Sequence, residues 1–319
     1  MIPLDSLLLL AAVAGYGDPV GGLPSSEERA LVLWTNAARV APEAFKQDYR
    51  SGRCSLADFS EDEKTAKAPL YIDMALTEAA RFHSDDMREN GCFQHDSCDG
   101  TDTWDRVDRF YKDDNSGVGE NIAQGSSDPR YTVLSMWMCS HDGHRGNIMS
   151  GAFNEMGGGV SGDFMTQDFA AGELNDGTPP VRVAAEYGDA LYADWGDDEA
   201  PAGLVLNVEG TLSDFVLFEG EADQGVYYTA IDDIPECAAW RVEWHTAGGD
   251  KGSFPATGGF GMGDCDEDYD ASAAFGAIGD PPLADPFADL VLCGTDTGAG
   301  WGALALAAML ARRRSATQG

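Results

Sequence analysis

Residues 157–169 read Gly157-Gly-Gly-Val-Ser-Gly-Asp-Phe-Met-Thr-Gln-Asp-Phe169. Two short runs surround the turn-forming Ser161-Gly162-Asp163, and this pattern predicts a hairpin of two strands. Helical patterns come earlier in the chain. The segment Ser25–Glu28 is a capping box, which predicts a helix start, and a second helix is predicted from Asp73 to Gly91. Helices followed by a hairpin within residues 25–170 predict an α+β or three-layer domain.

The charge of the chain limits the classes of partner. Its 319 residues include 55 acidic and 20 basic side chains, a formal net charge of −35. Nucleic acids attract cationic surfaces, so this excess argues against a nucleic-acid partner. Residues 25–170 hold 26 acidic and 14 basic side chains, whereas residues 171–297 hold 27 and 3. This change predicts a domain boundary near residue 171, with residues 171–182 as a linker rich in Gly, Pro, Asn and Asp.

The start of the chain has the pattern of a secretion signal. An apolar run covers Leu7–Ala14, and Ala12-Val13-Ala14 matches the small residues of a signal-peptidase site. We therefore predict a signal peptide over residues 1–14. A disordered start is the alternative, because no basic residue precedes the run.

The end of the chain has the pattern of a sorting tail. The apolar segment Gly300–Ala311 precedes Arg312-Arg313-Arg314. At about 1.5 Å per residue such a helix spans roughly 18 Å, less than the roughly 30 Å of a bilayer core, so a stable transmembrane anchor is not expected. With Cys293, residues 293–319 are similar to the sorting tails of some bacterial surface proteins, including those of myxobacteria. That resemblance implies transient membrane contact and removal or modification of the tail during export.

The cysteines support the same compartment, because disulfides form and persist in exported proteins. There are seven, of which four lie in the first predicted domain, two in the second and one in the tail. Four cysteines allow three connectivities. We predict the pairs Cys54 with Cys139, Cys92 with Cys98, and Cys237 with Cys265.

Several histidines and one glutamate are candidates for a functional site. His95 follows a helix exit, and Glu120 lies in Gly117-Val-Gly-Glu-Asn-Ile122. Imidazole and carboxylate groups are zinc or copper ligands, so His95, Glu120 and His144 are predicted to share a pocket that could bind a metal. For each histidine alone, a structural role is the stronger interpretation. His83, on the apolar face of its helix, is predicted to be a core histidine bonded to backbone.

Seven short motifs follow one another in the first predicted domain. They are Phe82-His83-Ser84, Phe93-Gln94-His95, Gly119-Glu120-Asn121-Ile122, Trp137-Met-Cys-Ser140, Gly143-His144-Arg145-Gly146-Asn147-Ile148-Met149, Gly157 to Val160, and Thr166-Gln167-Asp168-Phe169. In order and spacing they resemble the CAP superfamily of cysteine-rich secretory, antigen 5 and pathogenesis-related proteins, also called the SCP domain. The resemblance covers roughly residues 25–170 and is closest to the bacterial branch. It implies an α-β-α sandwich with a central cleft.

The resemblance implies a cleft that commonly holds two histidines and two acids. His95 and Glu120 match the first histidine and the first acid. Ser140 stands where the second acid is expected, and the strand position of the second histidine is Phe164. His144 is expected to line the cleft, and zinc binding depends on its replacing a missing ligand.

The second predicted domain, residues 183–285, contains short β-branched or aromatic runs separated by Gly, Asp and Pro, which predict an antiparallel β-sandwich. Its alternating acids Asp264, Asp266, Asp268 and Asp270 could bind calcium, although a solvated acidic loop is the favoured alternative. They do not form an EF-hand, because Tyr269 replaces the required glycine.

These patterns favour a secreted or cell-surface protein that binds a small lipid-like, sterol-like or envelope ligand without catalysis. His95, Glu120, Ser140 and His144 are the predicted cleft residues. An extracellular protease or esterase that uses Glu120 and histidines is the alternative. It is less favoured because no G-x-S-x-G motif is present and Ser140 falls within a predicted helix.

Overall fold

The computed structural model describes residues 19, 22–49, 54–112, 117–141, 143–172, 178–231, 235–266 and 269–275. The α-helices are α1 (Ser26–Val40), α2 (Lys46–Tyr49), α3 (Glu61–Lys64), α4 (Met74–Asn90), α5 (Thr103–Val107), α6 (Pro129–Tyr131) and α7 (His144–Ile148). The strands are β1 (Tyr71–Ile72), β2 (Val118–Gln124), β3 (Glu155–Ser161), β4 (Phe164–Ala170), β5 (Ala184–Tyr187), β6 (Ala190–Gly196), β7 (Gly203–Val208), β8 (Thr211–Asp214), β9 (Val216–Gly220), β10 (Gln224–Ala230), β11 (Cys237–His245), β12 (Lys251–Phe254) and β13 (Phe260–Gly263).

The sequence-predicted element boundaries in the first half agree closely with the structure. Ser25 caps α1 in a capping box with Glu28, as predicted. Asp73 caps α4 and Gly91 ends it in the left-handed conformation that glycine favours. One expectation was wrong: a π-helical turn covers Thr132–Trp137, and Ser140 lies beyond its end rather than inside a helix.

The first sheet has the strand order β1-β3-β4-β2. Strand β1 runs parallel to β3, and the other neighbours are antiparallel. The glycines of β3 allow helices to approach on both faces. A Cβ on Gly157 would lie 2.1 Å from the backbone of α4, whereas one on Gly158 would lie 2.9 Å from the backbone of α1. Because successive strand residues point to opposite faces, α4 and α1 cover opposite sides of β3.

The second half contains two further antiparallel sheets, with the orders β5-β6-β10-β9 and β12-β11-β7-β8, and β13 also pairs with β11. The segment Asp214–Phe218, one of the short apolar runs of the second half, is divided between two strands, because β8 belongs to one sheet and β9 to the other. The mixed helix and sheet content is as predicted. The sandwich arrangements stay predictions.

Helix α1 packs against the first half and the second half of the chain, and all described residues fall within one compact unit. Every residue of α1 from Glu28 to Val40 is buried. Arg29 donates to the backbone oxygen of Ala184 at 3.1 Å and pairs with Glu186 at 2.8 Å. The predicted domain boundaries stay a prediction, and the core is continuous across them.

All three predicted disulfides are present: Cys54–Cys139, Cys92–Cys98 and Cys237–Cys265. Among the residues that the structure describes, no helix has both the length and the apolar character needed to span a membrane. The predicted signal peptide (1–14) and sorting tail (293–319) lie outside the described residues.

Candidate functional site

Strand β2 directs neighbouring side chains to opposite faces of the first sheet. Val118 and Ile122 pack with residues of α4 and α5, and Glu120 lies on the same face. Asn121 points to the other face, where it donates to the side chain of Gln167 at 2.9 Å. The alternation therefore brings Glu120 toward α5 and the loop that carries His95.

His95 and Glu120 are in direct contact. Their closest atoms, His95 Nδ1 and Glu120 Oε1, are 2.7 Å apart. The Glu120 side chain is buried, whereas 54% of the His95 side chain is exposed. A buried carboxylate thus fixes one edge of an imidazole ring whose other edge is available to a ligand.

Arg106 on α5 contacts both members of this pair and is fully buried. Its Nη2 donates to Glu120 Oε2, and its Nη1 donates to the backbone oxygen of His95 at 2.8 Å. Thr103 Oγ1 donates to the same backbone oxygen, also at 2.8 Å. Both ends of the His95–Glu120 contact are therefore anchored to α5.

Asp168 on β4 completes the buried part of the site. It lies opposite Glu120 in the strand register, and its side chain is fully buried. Burial and the neighbouring charge of Glu120 hold the pKa of Asp168 well above its ordinary range. Asp168 and Arg106 were not among the predicted site residues.

A sequence signal could have indicated one of these two. Asp168 is an acidic residue in a strand that is buried throughout, and acidic side chains are rarely fully buried unless they have a partner. Arg106 gives no such signal, because α5 is short and the neighbouring charged residue Asp105 is exposed.

The structure places His144 and Ser140 on α7 or beside it. The backbone oxygen of His144 accepts from Asn121, on the face of β2 opposite to Glu120, at 3.2 Å. The backbone oxygen of Ser140 accepts from Arg145 Nη1, also at 3.2 Å. The contacts that fix these two backbones thus belong to the α7 side, whereas His95 and Glu120 are joined to α5.

In the part of the chain that the structure describes, the ligand atoms of His95, Glu120 and His144 do not form a group within 4.8 Å of one another. Among the described residues, only Asp86, Cys92 and Cys98 form a group of three candidate ligands within 4.8 Å of one another, and these two cysteines share a disulfide. Zinc binding by His95, Glu120 and His144 stays a prediction.

The contact with Glu120 determines the protonation of His95. The Glu120 hydrogen bond, opposed by partial burial, raises the pKa of His95 above its ordinary 6.5. The folded protein therefore binds this proton more tightly than the unfolded chain does. The resulting stabilisation is fully present below pH 6.5 and is lost as the pH rises through the folded value.

Glu120→Gln is expected to lower the pKa of His95, because the amide keeps the shape of the side chain but removes its charge. Proton NMR titration of the His95 ring measures this value directly. Glu63→Gln, at the partner of Arg145 Nε, is the matched control and should leave the titration unchanged. A His95 pKa that is equal in wild type and Glu120→Gln would contradict this account of the pair.

Exposed aromatic side chains flank His95 in the chain. Phe93 is 49% exposed and Trp104, next to Thr103, is 54% exposed. His83 contributes differently, because it is buried and its Nε2 lies 3.0 Å from the backbone oxygen of Gln94, as predicted for a core histidine. The two segments joined by the Thr103–His95 hydrogen bond thus both expose aromatic side chains.

Among the described residues, the carboxyl groups of the acidic cluster in the second half do not form a group of three ligand atoms within 4.8 Å of one another. Asp264, Asp266 and Asp270 line a shared surface depression, and Asp268 lies outside the described residues. Asp270 accepts from the backbone nitrogen of Ser272 at 3.1 Å and so caps a short 3-10 turn. Calcium binding stays a prediction.

The match to a known protein family lies in the first half of the chain. Residues 34–170 match the family described as "CAP: Cysteine-rich secretory protein family". Over 115 residues, 34% of this chain, it is 37% identical to the uncharacterized protein YkwD of Bacillus subtilis. Over 106 residues, 33% of this chain, it is 34% identical to the membrane protein YlbC of the same organism. These stretches span 42% and 30% of the two relatives.

Among solved structures, an extracellular protein of Bacillus anthracis that contains an SCP domain is 35% identical, with a TM-score of 0.30. The match covers 32% of this chain and 34% of that chain. An outer surface protein of Borrelia burgdorferi is 20% identical over 33% of this chain and 78% of its own, with a TM-score of 0.28. The family match confirms the resemblance to the CAP family for residues 34–170, which make up less than half of the chain.

Proposed function

We propose that this chain is an extracellular protein that binds a small hydrophobic, sterol-like or envelope ligand at His95 without catalysing a reaction. The observation that carries the proposal is the exposed imidazole ring of His95, which contacts the buried carboxylate of Glu120. Phe93 and Trp104 expose aromatic side chains on the two neighbouring segments. Binding sites for small molecules commonly combine apolar surface with a few fixed polar groups. His95 would supply a hydrogen bond to a polar group of the ligand.

Export of the chain is part of the proposal. Three disulfides within the described residues fit an oxidising compartment, where such bonds persist. Because the first half contains two of these disulfides and the second half contains one, both halves would fold in that oxidising compartment. The formal net charge of −35 fits a ligand other than nucleic acid.

Titration of a fluorescent sterol into the purified protein tests the binding site. Trp104→Ala should weaken binding about tenfold, equivalent to about 1.4 kcal/mol, because an exposed aromatic contact would be lost. Tyr131→Ala is the matched control, since this exposed aromatic residue lies on α6 and should be neutral. Equal affinity of wild type and Trp104→Ala, or no binding by either protein, would count against a sterol site here.

An extracellular hydrolase is the second candidate, and the His95–Glu120 contact is the observation in its favour. A histidine oriented by a carboxylate is an arrangement that supports general-base catalysis. Casein and ester substrates, with Glu120→Ala as the comparison, distinguish the two functions. Turnover by the wild type that is lost in Glu120→Ala would replace the binding proposal with a catalytic one.

A further inference from the structure

A second buried carboxyl group lies next to the His95–Glu120 pair. Asp168 is the register partner of Glu120 across β2 and β4, and it is fully buried. Neither oxygen of its carboxyl group has a hydrogen-bond donor among the described residues. An ionised carboxylate in such a place is costly, because it loses its hydration and gains no donor in return.

Near Asp168, two acidic side chains, Asp168 and Glu120, share one cationic neighbour, Arg106. Glu120 is the strand-register partner of Asp168, and Arg106 is a positive group that acts on both carboxyl groups. The two terminal nitrogens of Arg106 donate to Glu120 and to the backbone of His95, and its Nε has no partner among the described residues. His83 on α4 is the other titratable side chain near this group, and burial lowers its pKa, which keeps it neutral at neutral pH.

We propose that Asp168 is a positioning residue whose carboxyl group carries a proton and donates it to Glu120, which keeps Glu120 in place against His95. Two neighbouring carboxylates repel each other, whereas an acid and a carboxylate attract through the shared proton. The proton also supplies the donor that the Asp168–Glu120 contact otherwise lacks. The positioning role rests on the proposed function of His95, but the presence of the proton does not.

Carbon-13 NMR of the full, oxidised chain with labelled aspartate tests the proton. The side-chain carboxyl signal of Asp168 is assigned through bonds to its own backbone amide, so no variant is required. At neutral pH this signal should have the chemical shift of a protonated acid. The exposed Asp163 of the same hairpin is the internal control and should give the shift of a carboxylate. An ionised Asp168 signal at neutral pH would overturn the proposal.

Two substitutions test the positioning role through the pKa of His95. Asp168→Asn keeps a donor toward Glu120 and should leave that pKa unchanged, whereas Asp168→Leu removes the donor and should lower it. A purely structural role would change the melting temperature without moving the His95 titration. If neither variant changes the His95 pKa, or if Asp168→Asn alone lowers it, the positioning role is wrong.

The two parts of the test separate this inference from the proposed ligand. Neither NMR measurement contains a ligand, so an ionised Asp168 would leave sterol binding at His95 untouched. Conversely, a sterol titration without binding would leave the proton of Asp168 in place. The carbon-13 measurement needs no variant, so it remains decisive for the proton of Asp168 if Asp168→Leu does not fold.

Discussion

Arg106→Ala is expected to lower the free energy of unfolding by about 3–5 kcal/mol, the range for a buried ion pair that loses one partner. Arg106 is fully buried and donates to Glu120, which is itself buried. Without the guanidinium, Glu120 and Asp168 would be two buried acids with no cation between them. The backbone oxygen of His95 would also lose one of its donors.

Urea unfolding of the oxidised protein, followed by circular dichroism, measures this loss. Arg109→Ala is the matched control, because Arg109 is exposed, lies three residues further along the chain and donates to Thr101 at 2.9 Å. A surface substitution of this kind is expected to change stability by about 0.5 kcal/mol or less. If Arg106→Ala costs no more than Arg109→Ala, the buried cluster does not stabilise the fold.

Ending the chain after residue 172 is expected to abolish cooperative folding of the remaining region, which contains the residues that match the CAP family model. Helix α1 is buried by strands of the second half as well as by the first sheet. Trp34 packs against Tyr187 and Tyr192, with ring centroids 5.0 Å and 5.4 Å apart. Asn36 donates to the buried Asp194, which also accepts from the backbone nitrogen of Val183 at 2.8 Å. Truncation would expose this apolar surface and leave Asn36 without that acceptor.

Near-ultraviolet circular dichroism and thermal unfolding of two chains test this prediction. A chain ending at residue 275 keeps the described contacts and should unfold in one cooperative transition. The chain ending at residue 172 should lack that transition and expose apolar surface to a hydrophobic dye. If the shorter chain is stable and unfolds cooperatively, the first half folds without the second half and this prediction is wrong.

Local features of the first half were predictable because local chemistry determines them. A capping box, an Asp cap and a terminal glycine fix the limits of α1 and α4 within a few residues of sequence. The hairpin turn at Gly162 is equally local, since the residue adopts a positive φ of 62°. The disulfide pairs agreed with the prediction, although the cysteine count alone left three connectivities open for the first four.

The burial of α1 could not be predicted, because its polar residues have partners far along the chain. Arg39 donates to the backbone oxygens of Ile148, at 2.6 Å, and Ser150, at 2.8 Å. Asn36 likewise donates to the backbone oxygen of Leu70 at 2.9 Å. Polar residues on a helix ordinarily indicate a solvated face. The sequence pattern therefore favours an exposed face on α1, whereas α1 is buried all round from Glu28 to Val40.

The candidate site was predictable only in part for the same reason. The resemblance identified His95 and Glu120, which the structure joins, but grouped them with His144, whose backbone is bound on the other side of β2. Alternation along the strand separates the neighbours Glu120 and Asn121 and therefore separates their partners. Arg106 and Asp168 complete the site through contacts that no local pattern indicates.

Nitrogen-15 NMR of the His95 ring tests most directly whether buried Glu120 orients an exposed imidazole. Above the pKa of His95, the proton should remain on Nδ1, which donates to Glu120, and Nε2 should be unprotonated and free to accept from a ligand. The same titration should give a pKa above 6.5. A neutral ring protonated on Nε2, or a pKa below 6.5, would contradict this arrangement.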